Sequence, residues 1–286
     1  MHTEHCPVCN STNIQLFKEV GKFSYYECHI CDVLFLSPKV LSEIDAGKTM
    51  ITYDESYWMQ ELSAARERSW GASLARVAET ILYARIPVQK FIDIGSGPGY
   101  LLDALQYQLP SSSHIFYANE LFPPADEYCT SNRNYLRGSL LDFEFSFDAG
   151  CCIEVIEHLT PAMVKKLFTD LATRSKENSV YIFNTGLSAY VKNERIDYLD
   201  PYVRGHIMSW SVKGLQTLVS SVGFQILTIQ GKTWAFIAEY KPNHNFKSNI
   251  QERIWKAVPE NVNILRDKKT GDLMYVLGLD TARAYG

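Results

Sequence analysis

The sequence predicts an α/β protein built as a three-layer sandwich, with a small metal-stapled module in front of it. Three observations predict this. Short apolar runs of strand character alternate with amphipathic helical stretches between about residues 89 and 241. The first of those runs, at 90–94, ends directly in a glycine-rich turn, and four cysteines near the N-terminus fall into two close pairs. Strands that alternate with helices place helices on both faces of a sheet, which makes three layers.

A chain of 286 residues exceeds one average domain and falls short of two large ones. The composition shifts suggest a module at 1–40, a helical linker or lid at 41–88, a main domain at 89–241 and an extension at 242–286. Hydrophobic residues make up 46% and charged residues 21%, ordinary for a globular protein. The net charge of -4 supplies no general attraction to a phosphate backbone, so nucleic acid is not the expected partner. The opening Met-His-Thr-Glu-His-Cys has neither a basic start nor an apolar stretch, and no run of 18 apolar residues occurs. The expectation is a cytoplasmic protein outside the membrane.

Cys6 and Cys9 form one Cys-x2-Cys pair and Cys28 and Cys31 form another, with 18 residues between the pairs. That spacing is the pattern of a zinc ribbon. Between the pairs, Phe17, Phe23, Tyr25 and Tyr26 alternate as in a short hairpin. Four thiolates close a tetrahedron and leave no position for water, so the expected zinc is structural. A module of this size builds little core unaided, and metal binding of about 10 kcal/mol or more supplies the difference. His5 and His29 flank the cysteines as competing ligands. The module either grips RNA or a carrier protein, or docks on the main domain; the lack of a dense Lys/Arg cluster favours docking. Cys129, Cys151 and Cys152 read as ordinary thiols.

Beyond Ser37-Pro38 the pattern turns helical, with one amphipathic helix expected over 61–85. The aromatic stretch 53–58 just before it reads either as a helix-packing cluster or as a lid over a ligand, with Tyr57 the candidate contact. The run at 90–94 then meets Gly95-Ser96-Gly97-Pro98-Gly99-Tyr100 and a helical stretch. Strand, glycine turn and helix in that order offer backbone N–H groups at a helix start, where anionic ligand groups bind. The spacing is G-x-G-x-G, and Tyr100 stands where a dinucleotide fingerprint has its third glycine, which argues against a nicotinamide oxidoreductase or epimerase. A second strand at 114–119 ends at Glu120, 21 residues beyond Gly99, where a carboxylate can accept hydrogen bonds from ribose hydroxyls.

The run from Phe91 to Gly99, then Glu120, then Phe147-Asp148 through Glu154, Glu157 and His158, resembles the class I S-adenosylmethionine-dependent methyltransferases. The E-x-x-E-H segment points to their small-molecule branch. The resemblance spans about residues 50–240. It implies a Rossmann-like, seven-stranded, mostly parallel sheet, with further strands near 134–137, 147–153, 180–184, 224–230 and 233–240, the last antiparallel. It implies that Asp93 with Gly95, Ser96, Gly97 and Gly99 holds the methionine end of S-adenosylmethionine, that Glu120 with Leu121 binds the ribose, and that Ser139 and Leu140 flank adenine. Many members have aspartate where Ser139 stands, which leaves Asp142 as a substitute. Glu154 completes the cofactor set, and Glu154 and Glu157 read as orienting groups.

Methyl transfer from a sulfonium is an in-line displacement, so the enzyme chiefly aligns the reactants and excludes water. The acceptor is expected between the fifth strand and a helix starting near residue 212. That interval carries Tyr190, Tyr198, Tyr202, Arg204 and His206. His206 is the expected general base, because imidazole titrates near neutrality, and His158 is the second candidate. The expected reaction is O-methylation of a small polar molecule such as a sugar, a nucleotide-sugar or a glycan or natural-product precursor. The rivals are a zinc-ribbon RNA methyltransferase and a non-catalytic S-adenosylmethionine-binding protein. The tail is expected to hold a helix near 250–257 and a strand near 273–279, and to cover the cleft or pair with a second copy in a homodimer.

Overall fold

The computed structural model describes residues 4–50, 54–242 and 250–283. Near the N-terminus, β1 (Ile14–Val20) and β2 (Phe23–Cys28) form the expected hairpin, and β3 (Leu34–Leu36) pairs antiparallel with β2. Helices α1 (Pro38–Asp45), α2 (Glu55–Trp70) and α3 (Ala72–Tyr83) follow. The single helix expected over 61–85 is in fact two, because Gly71 leaves helical geometry and ends α2. Glycine is a poor helix residue, with about 1 kcal/mol less propensity than alanine, so the break falls there. Residue 53 of the aromatic stretch lies outside the described residues.

The main domain runs β4 (Phe91–Ile94), α4 (Tyr100–Gln108), β5 (Phe116–Glu120), β6 (Tyr135–Arg137), β7 (Phe147–Ile153), α5 (Pro161–Thr173), β8 (Ser175–Asn184) and α6 (Ser188–Asn193). It continues with β9 (Met208–Ser209), α7 (Val212–Val219), β10 (Phe224–Thr228) and β11 (Ala235–Tyr240). Among the described residues the seven-stranded sheet has the order β10-β11-β8-β7-β4-β5-β6. Neighbours from β8 to β6 pair in parallel, whereas β11 is antiparallel to both β8 and β10. This is the expected mostly parallel α/β sandwich. Helix caps follow the sequence: Thr160 accepts from the Met163 N–H with Pro161 in the first turn of α5, and Ser211 accepts from the Gly214 N–H at the start of α7.

The tail departs from expectation. No strand forms near 273–279; instead α8 (Pro259–Ile264) and α9 (Leu273–Arg283) form. Gly278 lets α9 lie against Ala78 and Leu82 of α3, a contact that a helix makes and a lone edge strand could not. The Asn261 side chain accepts from the Val88 N–H (2.8 Å) and donates to the Ile86 carbonyl (3.0 Å), which ties the tail to the loop before β4.

A second sheet carries the main surprise. Its order is β1-β2-β3-β9, so the N-terminal hairpin takes its fourth strand from the segment between β8 and α7. Leu34 pairs with Ser209 and Phe35 with Met208. Lys18 Nζ donates to the carbonyls of Ile196 (2.7 Å) and Leu199 (3.0 Å), and Lys192 bridges Glu27 and Asp32. Ser211, the α7 cap, also donates to the Cys31 carbonyl.

Every residue of β7 from Phe147 to Cys152 is buried, as a central parallel strand requires. At Gly150 an added Cβ would lie 2.6 Å from the Ile92 carbonyl oxygen and 2.8 Å from the Tyr181 ring. Gly150→Ala is expected to destabilise the fold by about 1–3 kcal/mol through overpacking. Urea unfolding measures this, and an unchanged midpoint would show that the sheet opens to accept the methyl group.

Candidate active site

At the N-terminus, the two Cys-x2-Cys turns are near copies of one another. The Asn10 N–H donates to the Cys6 carbonyl (2.9 Å) and the Asp32 N–H to the Cys28 carbonyl (2.8 Å). Asn10 (φ 60°) and Asp32 (φ 62°) both sit in the left-handed region that lets each turn double back. The thiols of Cys6 and Cys31 are 3.5 Å apart, as are those of Cys9 and Cys28, and all four sulfurs lie within 4.8 Å of one another. Sulfurs at about 2.3 Å around one tetrahedral zinc stand about 3.8 Å apart, so the donor set fits that ion. His5 instead turns its Nδ1 to the Asn10 carbonyl, and His29 is exposed beside Glu27.

At the carboxyl end of the parallel sheet, Gly95, Gly97 and Gly99 all have positive φ (69°, 56° and 77°). The turn therefore depends on glycine at these positions, and Gly99 starts α4. Glu120, at the end of the adjacent β5, accepts from the Gly97 N–H through Oε2 (2.8 Å) and from the Phe122 N–H through Oε1 (2.9 Å). Ser96 donates its hydroxyl to the Asn119 carbonyl (3.2 Å). Asp93 lies buried in β4, where the Cys151 thiol donates to it (3.4 Å). Burial pushes its carboxyl up to about 7, and the thiol contact opposes that rise.

Over this turn lies α2. The Trp58 ring sits where a Gly97 side chain would come within 3.3 Å, and the Tyr57 ring meets Trp58 edge-on at 5.2 Å. Arg66 stacks on Tyr100. The aromatic stretch thus reaches the glycine turn through Trp58, with Tyr57 behind it. Leu121 is exposed beside Glu120, and Leu140 is buried. Ser139 and Asp142 cap each other across a short turn: the Ser139 hydroxyl accepts from the Leu141 N–H (3.2 Å), and Asp142 accepts from the Ser139 N–H (2.7 Å). The Asp142 carboxylate is thus occupied within its own turn.

Beyond β7 the chain turns through Glu154, whose φ of 55° is unusual for a residue with a side chain. Two bonds hold it there: its N–H donates to the Asn184 carbonyl (2.9 Å), and the Asn184 amide donates to Glu154 Oε1 (2.8 Å). Val155 then packs against Gly95, where an added Cβ would meet it at 2.7 Å, so this turn touches the glycine turn. Burial, reinforced by the neighbouring Glu157 charge, pushes Glu154 up to about 8. Glu154 and Asn184 line a cleft of about 400 Å³ with Tyr190, Glu194, Arg195, Tyr198 and Arg204.

His158 and His206 meet beside that cleft, with ring centroids 4.9 Å apart and planes at 72°. Burial pushes the His206 ring down to about 3 and also lowers His158, so both imidazoles are neutral at pH 7. An imidazole whose conjugate acid is that acidic is a weak proton acceptor, which bears on the base role expected of His206. Sequence reasoning passed over Tyr25, whose hydroxyl donates to the His206 carbonyl (2.6 Å). It also passed over Asn184 and the clasp of Tyr198 on Glu157 (3.0 Å). No local motif marks these residues, because their partners lie 30 to 181 residues away.

Residues 50–229 match a family described as a methyltransferase domain. The chain belongs to that family. The resemblance to class I S-adenosylmethionine-dependent methyltransferases carried by the glycine turn, Glu120 and the 154–158 segment is borne out, and the protein is an enzyme of that kind. No curated protein matches the chain. Among solved structures, the methyltransferase is similar to CalS10, an amino pentose methyltransferase from Micromonospora echinaspora bound to S-adenosylmethionine. That match has 17% identity over 68% of this chain and 100% of that one, with a TM-score of 0.48. Human N-acetylserotonin methyltransferase in complex with the same compound matches at 14% identity over 66% and 56% of the two chains, TM-score 0.48. An O-methyltransferase from Nostoc punctiforme, described as putative, matches at 15% identity over 64% and 59%, TM-score 0.48. Among the described residues no helix is long and apolar enough to cross a membrane.

The raised Asp93 carboxyl gives this methyltransferase a pH signature. The folded chain keeps a proton that the unfolded chain releases near pH 4, so stability falls as pH rises from about 4 to about 7. The slope approaches about 1.4 kcal/mol per pH unit. In Asp93→Asn that component is absent; urea unfolding across this range checks it, and an unaltered slope in the variant would refute the assignment.

Proposed function

We propose that this methyltransferase moves the methyl group of S-adenosylmethionine to a hydroxyl oxygen of a small polar molecule, a sugar, nucleotide-sugar or glycan or natural-product precursor. The observation that carries this reading is Glu120, held by the Gly97 and Phe122 N–H groups at the end of β5, next to the glycine turn. That carboxylate would take the ribose hydroxyls with Leu121 alongside, while Gly95, Ser96, Gly97, Gly99 and Asp93 hold the methionine end. Ser139 and Leu140 would border adenine, and Tyr57 and Trp58 close the site from above. Four thiolates of Cys6, Cys9, Cys28 and Cys31 would carry one structural zinc ion.

The acceptor would enter the cleft lined by Tyr190, Arg195 and Arg204, whose polar groups suit hydroxylated or anionic molecules. The oxygen lone pair forms the new C–O bond as the C–S bond breaks, and the electron pair of that bond stays on sulfur as a neutral thioether. The hydroxyl proton passes to the ionised form of Glu154, whose population grows as the pH rises toward about 8. The in-line arrangement and exclusion of water by α2 supply most of the rate.

Calorimetry with S-adenosylmethionine is expected to show binding that Glu120→Ala weakens by about a hundredfold. A hundredfold is about 2.7 kcal/mol, within the range of about 1.5–3 kcal/mol for a hydrogen bond to a charged group. Incubation with labelled S-adenosylmethionine and a metabolite extract, followed by mass detection of O-methyl products, tests the acceptor class. Undiminished affinity in Glu120→Ala, or products methylated only on nitrogen or carbon, would refute the corresponding part.

A further inference from the structure

Three buried charges next to the acceptor cleft take no part in the methyl-transfer step. Arg76, Glu79 and Lys232 are all buried. Arg76 Nη1 lies 3.0 Å from the Glu79 carboxylate, and Lys232 Nζ donates to the same group at 2.5 Å. Taking ions out of water is costly, and apolar side chains of the same volume commonly serve a core as well or better, so stability alone does not account for the set. What the two cations share is the Trp234 ring. The Arg76 guanidinium lies 4.7 Å and the Lys232 ammonium 5.6 Å from its centroid, within reach of a cation–π attraction that strengthens where water is excluded. Backbone bonds hold the same stretch: the Thr185 N–H donates to the Trp234 carbonyl (3.0 Å) and the Leu187 N–H to the Thr233 carbonyl (3.0 Å). Trp234 lines the cleft and neither cation does, so the array fixes an aromatic wall.

Arg204 lines the same cleft from the loop before β9. Its backbone is held on both sides. The Asp200 carboxylate accepts from the N–H groups of Tyr202 (2.8 Å) and Val203 (3.0 Å), and the His206 N–H closes back on the Asp200 carbonyl (3.1 Å). Tyr202 is docked in turn on the N-terminal hairpin, where its hydroxyl accepts from the Lys22 N–H (3.2 Å) and its ring meets Phe23. The guanidinium carried by this fixed turn is exposed and makes no hydrogen bond or ion pair with any described residue. The nearby acids are engaged elsewhere. Asp197 takes two bonds from Arg195 (both 3.1 Å), which hold it below the usual carboxylate range with the Arg204 charge adding to the effect. Glu194 accepts the Thr233 hydroxyl (2.6 Å) beside Trp234. An arginine with its donors open and its backbone fixed suits an oxyanion, which the planar fork can grip with two parallel bonds.

We propose that the acceptor is a ring compound bearing a phosphate or carboxylate group, with the apolar face of the ring on Trp234 and the anionic group on Arg204. Arg76, Glu79 and Lys232 act as positioning residues by fixing the indole. Two anchors of different kind set the orientation of the ring as well as its place, so that one hydroxyl is turned toward Glu154, and orientation is what an in-line displacement needs. A neutral ring compound lacks the second anchor and is held less well. The proposal deepens the O-methylation reading above and rests on it for the reaction; the oxyanion site does not.

The test uses the full chain and a metabolite extract divided by anion exchange into neutral and anionic fractions, each incubated with labelled S-adenosylmethionine. Labelled product is expected from the anionic fraction. Its loss when that fraction is first treated with phosphatase identifies a phosphate ester, and its survival a carboxylate. Arg204→Ala is expected to lower the rate on a dilute anionic fraction by about tenfold, with part restored in Arg204→Lys and S-adenosylmethionine affinity by calorimetry changed less than about twofold. Arg76→Met, which leaves Glu79 and Lys232 as one pair, is expected to keep a urea midpoint near that of the wild type and to raise the fraction concentration giving half-maximal rate by about threefold or more, with the maximal rate little changed. Product from the neutral fraction alone, or an undiminished rate in Arg204→Ala, overturns the proposal, and unchanged half-saturation in Arg76→Met overturns the positioning part. Absence of product from both fractions would strike the functional reading. The oxyanion site is then decided by calorimetric titration of the S-adenosylhomocysteine-loaded chain with inorganic pyrophosphate: binding that Arg204→Ala loses upholds it, and no binding by the wild type overturns it.

Discussion

Two backbone pairings, Leu34 with Ser209 and Phe35 with Met208, join the N-terminal hairpin to the segment that follows β8. The rest of the acceptor side depends on that join. The segment between α6 and β9 holds only one short 3-10 turn, Ile196–Tyr198, and a stretch of that kind has little local preference for one conformation. The N-terminal module supplies the preference. Lys18 takes two of its carbonyls, Tyr25 takes the carbonyl of His206, and Ser211 closes the far end on Cys31. A module built on four thiols, too small to fold on apolar burial alone, thereby becomes the wall on which the cleft is assembled. The contacts it makes are those of a module docked on the main domain.

The two halves of the site use opposite electrostatic devices. Around the glycine turn, one carboxylate is met by two backbone N–H groups. Around the 154–158 turn, two buried carboxyl groups and two neutral imidazoles are packed together. Burial raises the acids and lowers the histidines, so that side gathers lone pairs in place of charge. The contact of Val155 with Gly95 sets these two environments against each other with no intervening layer.

Much of the donor side was legible in the sequence because its determinants are local. Glycines at 95, 97 and 99 are needed where φ is positive, and Glu120 follows at the end of the next strand, so spacing alone locates both. The cysteine pairs are equally local. The helix break at Gly71 was a local signal, glycine's low helix propensity, outweighed by the amphipathic pattern on either side; the helical state of 273–283 was missed because the apolar run near 273 reads equally as strand or helix until α3 is there to receive it.

The acceptor side was only half legible. Glu154, Glu157, His158 and His206 all stood out, yet their meaning came from partners far off in the chain: Asn184 for Glu154, Tyr198 for Glu157, Tyr25 for the loop that carries His206. The sequence by itself determined the layer architecture, the glycine turn, the carboxylate at the end of β5 and the thiol set, since period, spacing and residue type act within a few positions. Only the tertiary structure decided that the N-terminal hairpin completes its sheet with β9 and that His158 and His206 meet beside the buried Glu157. Those outcomes depend on which distant backbone groups are left to satisfy one another once the core has closed.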